Sequence, residues 1–192
     1  VTRFNIPFNK GPAGFDVPHI LAGSFVWEVP GKTGHRAVDI IASGWQLSGI
    51  VSFYSGLPFM TFLNFDNEGV GTVPGRSTQY PNLTGNPNEI AERTPFRWFN
   101  TSAFAVPAPF TRGNAGRNIL RTGSLQNLDF SLHKRFPFRE SRYVELRGEF
   151  FNTFNHPSFG YPGTVLGTVQ FGRVSNTRNT GRQVQVAMKV HF

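Results

Sequence analysis

GRQVQVAMKVHF, residues 181–192, decides the fold. Val184, Val186, Met188, Val190 and Phe192 alternate with Gln183, Gln185, Ala187, Lys189 and His191, so an extended chain carries one apolar face and one polar face. Slipping such a strand by one residue would exchange the faces and bury the charges. At about 3.4 Å per residue and a tilt near 40°, this segment covers roughly 30 Å, the thickness of a bilayer core. Strands of soluble proteins typically have about half as many residues.

The same period recurs upstream. Between Arg142 and Phe150, Val144, Leu146, Gly148 and Phe150 alternate with Tyr143, Glu145, Arg147 and Glu149. Leu128, Phe130 and Leu132 alternate with Asp129, Ser131 and His133, and that segment runs into the turn-like Pro137-Phe138-Arg139-Glu140-Ser141. Trp45, Leu47, Gly49, Val51 and Phe53 alternate with Gln46, Ser48, Ile50, Ser52 and Tyr54, and residues 17–29 form a less regular strand. No run of apolar residues at helical spacing competes with these. The expected fold is all-β, an antiparallel meander of about five to six long strands.

The connections alternate in length. Residues 56–126 and 152–180 are long and rich in Gly, Pro and Asn, with a strand extension expected near Thr168–Val174, whereas 30–44 and 137–141 are shorter. Loops beyond about 15 residues are usually functional or disordered. Long outer loops and short inner turns are what a membrane β-barrel shows. Counting back from a periplasmic terminus places 152–180 and 56–126 outside and 137–141 and 30–44 inside. In a barrel the polar face meets a watery or plugged lumen, so Asp129, His133, Glu145, Arg147 and Glu149 need no dry core. Trp27, Trp45, Tyr54, Phe136 and Phe138 stand near strand ends, where interfacial girdles or core packing would use them. Lys134 falls on the apolar face, where a place near a strand end would let it snorkel to the interface.

Composition narrows the function. The 192 residues carry 19 Lys and Arg against 11 Asp and Glu, a formal charge of +8, yet charged residues are only 16% of the chain. Absence of cysteine excludes a disulfide scaffold, a thiolate metal site and a cysteine nucleophile. No stretch is long and apolar enough for a spanning helix, and an opening Val-Thr-Arg suggests a C-terminal piece of a longer chain. Glu145 and Glu149, four residues apart on a strand, would lie roughly 13 Å from each other, beyond a glycosidase pair. They read as lumenal charges balanced by Arg147 and by Arg135 or His133. His19, His35, His133, His156 and His191 show no metalloprotease spacing, and Gly69, Gly71 and Gly75 miss the dinucleotide pattern. No catalytic residue, metal site or cofactor is expected, and the chain is not expected to be an enzyme. Arg93, Arg97, Arg112, Arg117 and Arg121 are spread along the long loop without a basic helix, which argues against nucleic acid and for solvated charge or contact with anionic lipopolysaccharide.

The most ligand-like word is Trp98-Phe99-Asn100, with aromatic faces for stacking and an amide for hydrogen bonds; pinning the long loop is its structural alternative. Arg117 and Asn118 join it as candidate ligand-binding residues, although they and Asn152–Pro157 also read as turn chemistry.

Several segments together resemble the C-terminal barrel portion of TonB-dependent outer-membrane receptors of the Oar-like group. They are FDVPHILAGSFVWEVP, GWQLSGIVSFYSGLPF, PNLTGNP, RWFNTSAFAVP, GNAGRNILRTGSLQNLDFSLHKRFPF, RGEFFNTFNHPSFG and RQVQVAMKVHF, in this order, covering most of the chain. The resemblance implies a 22-stranded barrel in the cell outer membrane, with residues 1–192 as its C-terminal part and the N-terminal plug lying outside this chain. It also implies energy from the TonB complex and uptake or sensing of an extracellular ligand. Phe192 resembles the signal read by the barrel assembly machinery. The expected partners are thus outer-membrane lipid and lipopolysaccharide, the protein's own plug, the TonB complex and the assembly machinery. A secreted, soluble β-sandwich that binds carbohydrate through Trp98 is the alternative, and an adhesion protein on the same barrel is a third reading.

Overall fold

In the computed structural model, residues 10–31, 33–71, 79–139 and 142–192 are described. In chain order the elements are β1 (Ile20–Glu28), α1 (Arg36–Ala42), β2 (Trp45–Tyr54), β3 (Pro58–Phe59), β4 (Asn82–Leu83), β5 (Phe104–Ala105), β6 (Leu120–Arg121), β7 (Leu125–Arg139), β8 (Arg142–Phe151) and β9 (Gln183–His191). No helix among the described residues is long and apolar enough to cross a membrane. The chain divides into two compact units.

The sheet unit, His19–Tyr54, Leu125–Ser158 and Asn179–Phe192, is a five-stranded antiparallel meander in the order β1-β2-β7-β8-β9. The expected all-β meander is therefore present. Its register lines the apolar sets of all five strands on one face: Phe25 opposite Gly49, Gly49 opposite Phe130, Phe130 opposite Phe150, and Phe150 opposite Val184. On the other face Glu145 stands between Arg135 and Lys189. Glycine at position 49 makes room for an aromatic neighbour. A Cβ there would lie 2.6 Å from the Phe25 ring, so the bare backbone lets that ring lie across β2.

Strand lengths differ from expectation in two places. β9 covers nine residues rather than twelve, starting only after Asn155 Oδ1 has taken the Arg182 N–H at 3.0 Å. At the same tilt nine residues still span about 23 Å, close to the apolar band of an outer-membrane barrel. β7 extends to fifteen residues and passes through Pro137, where the turn-like composition predicted a reversal. Beyond Lys134 β7 has left the β2 register, and its own pairing with β8 shifts between Pro137 and Arg139, a location that tolerates a missing N–H. The turn itself, at Glu140 and Ser141, lies outside the described residues.

The shorter connection 30–44 contains α1, a helix that no apolar period announced. Its seven residues give barely two turns and no side chain caps its N-terminus, so its support comes from the sheet. Lys134 donates to the carbonyls of Ile41 (3.0 Å) and Ser43, and Trp45 Nε1 donates to Ile41 O at 2.8 Å. Lys134 and Trp45 both stand on the apolar face, so the C-terminal end of α1 is drawn onto that side. The cation also meets the partial negative charge of the helix end.

The loop unit comprises the described residues of Val1–Pro18 with Ser55–Ser124 and Phe159–Arg178. Its strands are two-residue ladders, β3 with β6 and β4 with β5, yet it holds an aromatic core of Phe59, Tyr80, Trp98, Phe99 and Phe104 with Leu120. Phe171 completes it, packing edge-on against Phe99 at 5.2 Å and Phe104 at 5.7 Å between ring centres. Backbone bonds tie the two long connections together, Trp98 N–H to Gly172 O at 2.8 Å and Phe62 N–H to Thr164 O at 2.9 Å. Gly172 has φ +76°, and a Cβ there would lie 2.6 Å from Thr101 Cγ2, so this crossing needs glycine twice over. The strand extension expected over Thr168–Val174 is absent; that stretch makes turns and the isolated bridges Gly163–Phe171 and Pro162–Val174.

Candidate functional site

The loop unit contains a cleft of about 510 Å³ lined by Pro12, Asn88, Arg93, Arg117, Asn118, Ile119 and Arg121. Three of these seven side chains are guanidinium groups and none is a carboxylate. The segment 117–121 enters it because Asn118 adopts φ +55°, a left-handed conformation that asparagine tolerates, and its amide donates to Pro12 O at 2.6 Å. Arg121 is fully engaged, pairing with Asp16 and donating to Gly56 O at 2.9 Å. Arg93 donates to Asn88 Oδ1 at 3.2 Å and has no ion-pair partner among the described residues, nor has Arg117. The Arg117 Nε–H is buried with no acceptor among the described residues.

The other sequence candidates lie elsewhere. Trp98 (6% exposed) and Phe99 (1%) are core residues, with Trp98 Nε1 donating to Arg121 O at 3.0 Å and its ring against Phe159. Their aromatic faces are spent on packing within the loop unit. Asn100 is spent on a turn, its amide donating to Asn86 O at 3.3 Å and accepting from Ser102. Of the five candidate ligand residues, Arg117 and Asn118 alone line the cleft. Arg93 and Arg121 were visible in the sequence only as scattered loop charge. Their convergence depends on the turn at Asn118 and the Asp16 contact, neither of which has a period to read. Phe192, the candidate assembly signal, follows β9 and is 91% exposed.

Elsewhere in the loop unit, Asp66 organises its own turn. Its carboxylate accepts from the N–H groups of Gly69 (2.9 Å) and Gly71 (2.7 Å) and from the Gln79 amide, while Gln79 Oε1 accepts from Asn67 N–H at 2.6 Å. The Gln79 hydrogen bond, followed by the backbone ones, holds the Asp66 carboxyl below its ordinary value. Among the described residues no three acidic or histidine side chains gather to hold a metal.

In the sheet unit the polar face holds a charge network. Glu145, 4% exposed, accepts from Arg147 at 2.7 Å and from Arg135 at 3.2 Å, with His133 Nδ1 at 3.9 Å; Arg147 reaches Glu149 at 3.9 Å. The balancing partners read from the sequence are the ones found. The opposite face leaves Leu21, Trp27, Met188 and Val186 (79% exposed) uncovered. A soluble sandwich would pack a second sheet there.

These two faces are what a barrel wall requires, and the family comparison agrees. The family model described as an outer membrane beta barrel domain matches residues 1–185. The chain belongs to this family. No curated protein and no solved structure matches it. As an outer membrane beta barrel domain the protein resides in the outer membrane, where its uncovered apolar residues have lipid as their solvent and its charged face the lumen. Lys134, 4% exposed, then sits on the lipid side at the level of Trp45, the first residue of β2. The α1 carbonyls satisfy it there, and the rings of Trp45 and Phe136 each lie 5.1 Å from its ammonium. The expected snorkelling is replaced by an internal cap.

Proposed function

We propose that this outer membrane beta barrel domain is the C-terminal part of the barrel of a TonB-dependent receptor, which binds an extracellular ligand for uptake or sensing and catalyses no reaction. The observation that carries the proposal is the meander with its connections. Both long connections, β2 to β7 and β8 to β9, leave from the same end of the antiparallel strands, and the short ones leave from the other end. Long loops on one rim and short turns on the other suit a receptor wall whose outer loops meet ligand. Five strands whose outermost members, β1 and β9, each pair on one side only among the described residues do not close a barrel. Further strands and a plug from the same protein would complete it, and the TonB complex would act through that plug. Lipopolysaccharide would surround the rim that bears the long loops.

Reading the gene upstream of Val1 tests this. The expected result is a reading frame that continues through many more alternating strands to a plug domain and a signal peptide. A start codon and signal peptide immediately before Val1 would overturn it.

A further inference from the structure

We infer that the cleft at Arg93 and Arg117 binds an anionic oxygen group, a carboxylate or a phosphate, carried by a compact extracellular ligand. The inference rests on the receptor reading for its purpose, but not for the binding itself. The volume, about 510 Å³, is that of a small-molecule site. Arginine presents Nε–H and one Nη–H along a single edge, which matches the two oxygens of a carboxylate or phosphate. In Arg117 the Nε–H of that edge is buried and has no acceptor among the described residues, so it is a donor awaiting a partner. Arg93 brings a second cation whose one described hydrogen bond goes to the neutral Asn88. Arg121 does not compete for the ligand, since Asp16 already neutralises it; it serves as a fixed wall.

The backbone that carries Arg117 is held by its neighbours. Asn118, buried and bonded to Pro12 O, sets the direction of the chain between Arg117 and Ile119. Ile119 lines the cleft and also packs against the aromatic core, so one wall is apolar and rigid. With no carboxylate in the lining, nothing repels an anion. The site therefore selects for negative charge on one end of its ligand and tolerates apolar surface on the other.

The test is calorimetric titration of the protein, with its complete natural chain, purified in detergent free of lipopolysaccharide. The probes are citrate, inorganic pyrophosphate and the neutral polyol sorbitol. One or both anions are expected to bind and sorbitol is not. Arg117→Gln should weaken anion binding roughly tenfold or more. Arg117→Lys, which keeps the charge and loses the planar edge, should also weaken it, and Arg93→Gln should do so less. Arg97→Gln removes an equal charge outside the lining and should leave affinity unchanged, while strand content by circular dichroism confirms folding of every variant. Absence of anion binding at millimolar concentration overturns the inference, as does an equal loss in Arg97→Gln and Arg117→Gln. Added lipopolysaccharide separates the two sources of phosphate. Displacement of citrate that disappears in Arg117→Gln assigns the cleft to the lipid's phosphate, and no displacement assigns it to a free ligand. A failure here leaves the upstream reading frame untouched, so the two proposals fail separately.

Discussion

The sheet unit and the loop unit divide order and burial between them in opposite ways. The sheet has continuous hydrogen-bond ladders, yet its buried residues are Gly49, Lys134, Glu145, Asn152 and Ser158, none of them a large apolar side chain. Among the described residues of the loop unit regular structure shrinks to two-residue ladders and one 3-10 turn at Thr101–Ala103, and every buried hydrophobic side chain that the structure describes lies there. Regular secondary structure is thus no guide to where a core lies. The sheet satisfies its backbone by pairing and leaves its apolar side chains to lipid, since in hydrocarbon the unpaired peptide groups are the expensive ones. The loop unit, with little backbone pairing to order it, relies on the burial of aromatic surface.

The sharpest way to break this contrast is Phe99→Ala. Phe99 contacts the Phe59, Phe104 and Phe171 rings, so its removal should cost the loop unit about 3–5 kcal/mol. In denaturant titrations, tryptophan fluorescence should report earlier loss of the loop core, while the heat-sensitive gel migration of a folded barrel persists. A common transition for both signals would show that the units are not independent.

Next in size is Val186→Arg on the lipid face, expected to destabilise the membrane-inserted protein by about 2–4 kcal/mol if the position is near the bilayer midplane. Ala187→Arg, one residue along and facing the lumen, should cost far less; folding titrations into vesicles measure both. Equal costs would remove the distinction between the faces.

Lys134→Met should cost about 1–2 kcal/mol through the loss of hydrogen bonds to Ile41 O and Ser43 O. Faster amide exchange confined to residues 36–43 is the expected sign, and unchanged exchange there would mean α1 is held by other contacts.

The smallest effect is the pH response of the Asp66 turn. The folded-state pKa of Asp66 is lowered, so its contribution is present above the unfolded carboxyl value and is lost as pH falls through the folded one. Acidification should therefore lower the protection factors of the Gly69, Val70 and Gly71 amides, measured against their intrinsic exchange rates at each pH, without moving those of the sheet. In Asp66→Asn those amides should exchange quickly at neutral pH as well.

What the sequence disclosed follows the same division. Alternation of Val184, Val186 and Met188 with Gln183, Gln185 and Ala187 suffices to locate a strand and its faces, because period two is a local property. The charge network was legible for the same reason, since Glu145, Arg147 and Glu149 share a parity. The loop core was not. Phe59, Tyr80, Trp98, Phe104 and Phe171 have no common period, and they meet through turns set by residues such as Gly172 and Asn118. For α1, seven residues are too few for a helical period to stand out, and its cap arrives from Lys134, ninety-three positions away from Ile41. The cleft was half legible: Arg117 and Asn118 were candidates, whereas the neighbouring tryptophan and phenylalanine turned inward.

The aromatic core of the loop unit also sets an order of events during biogenesis. Phe99 and Phe104 leave the ribosome well before Phe171, and the chain between them includes β7 and β8. The core gains its last ring only once that hairpin has been made, so loop-closure entropy delays it to a late step. A chain that ended before residue 171 would lack the ring that packs edge-on against both Phe99 and Phe104, and the loop core would keep that aromatic surface open.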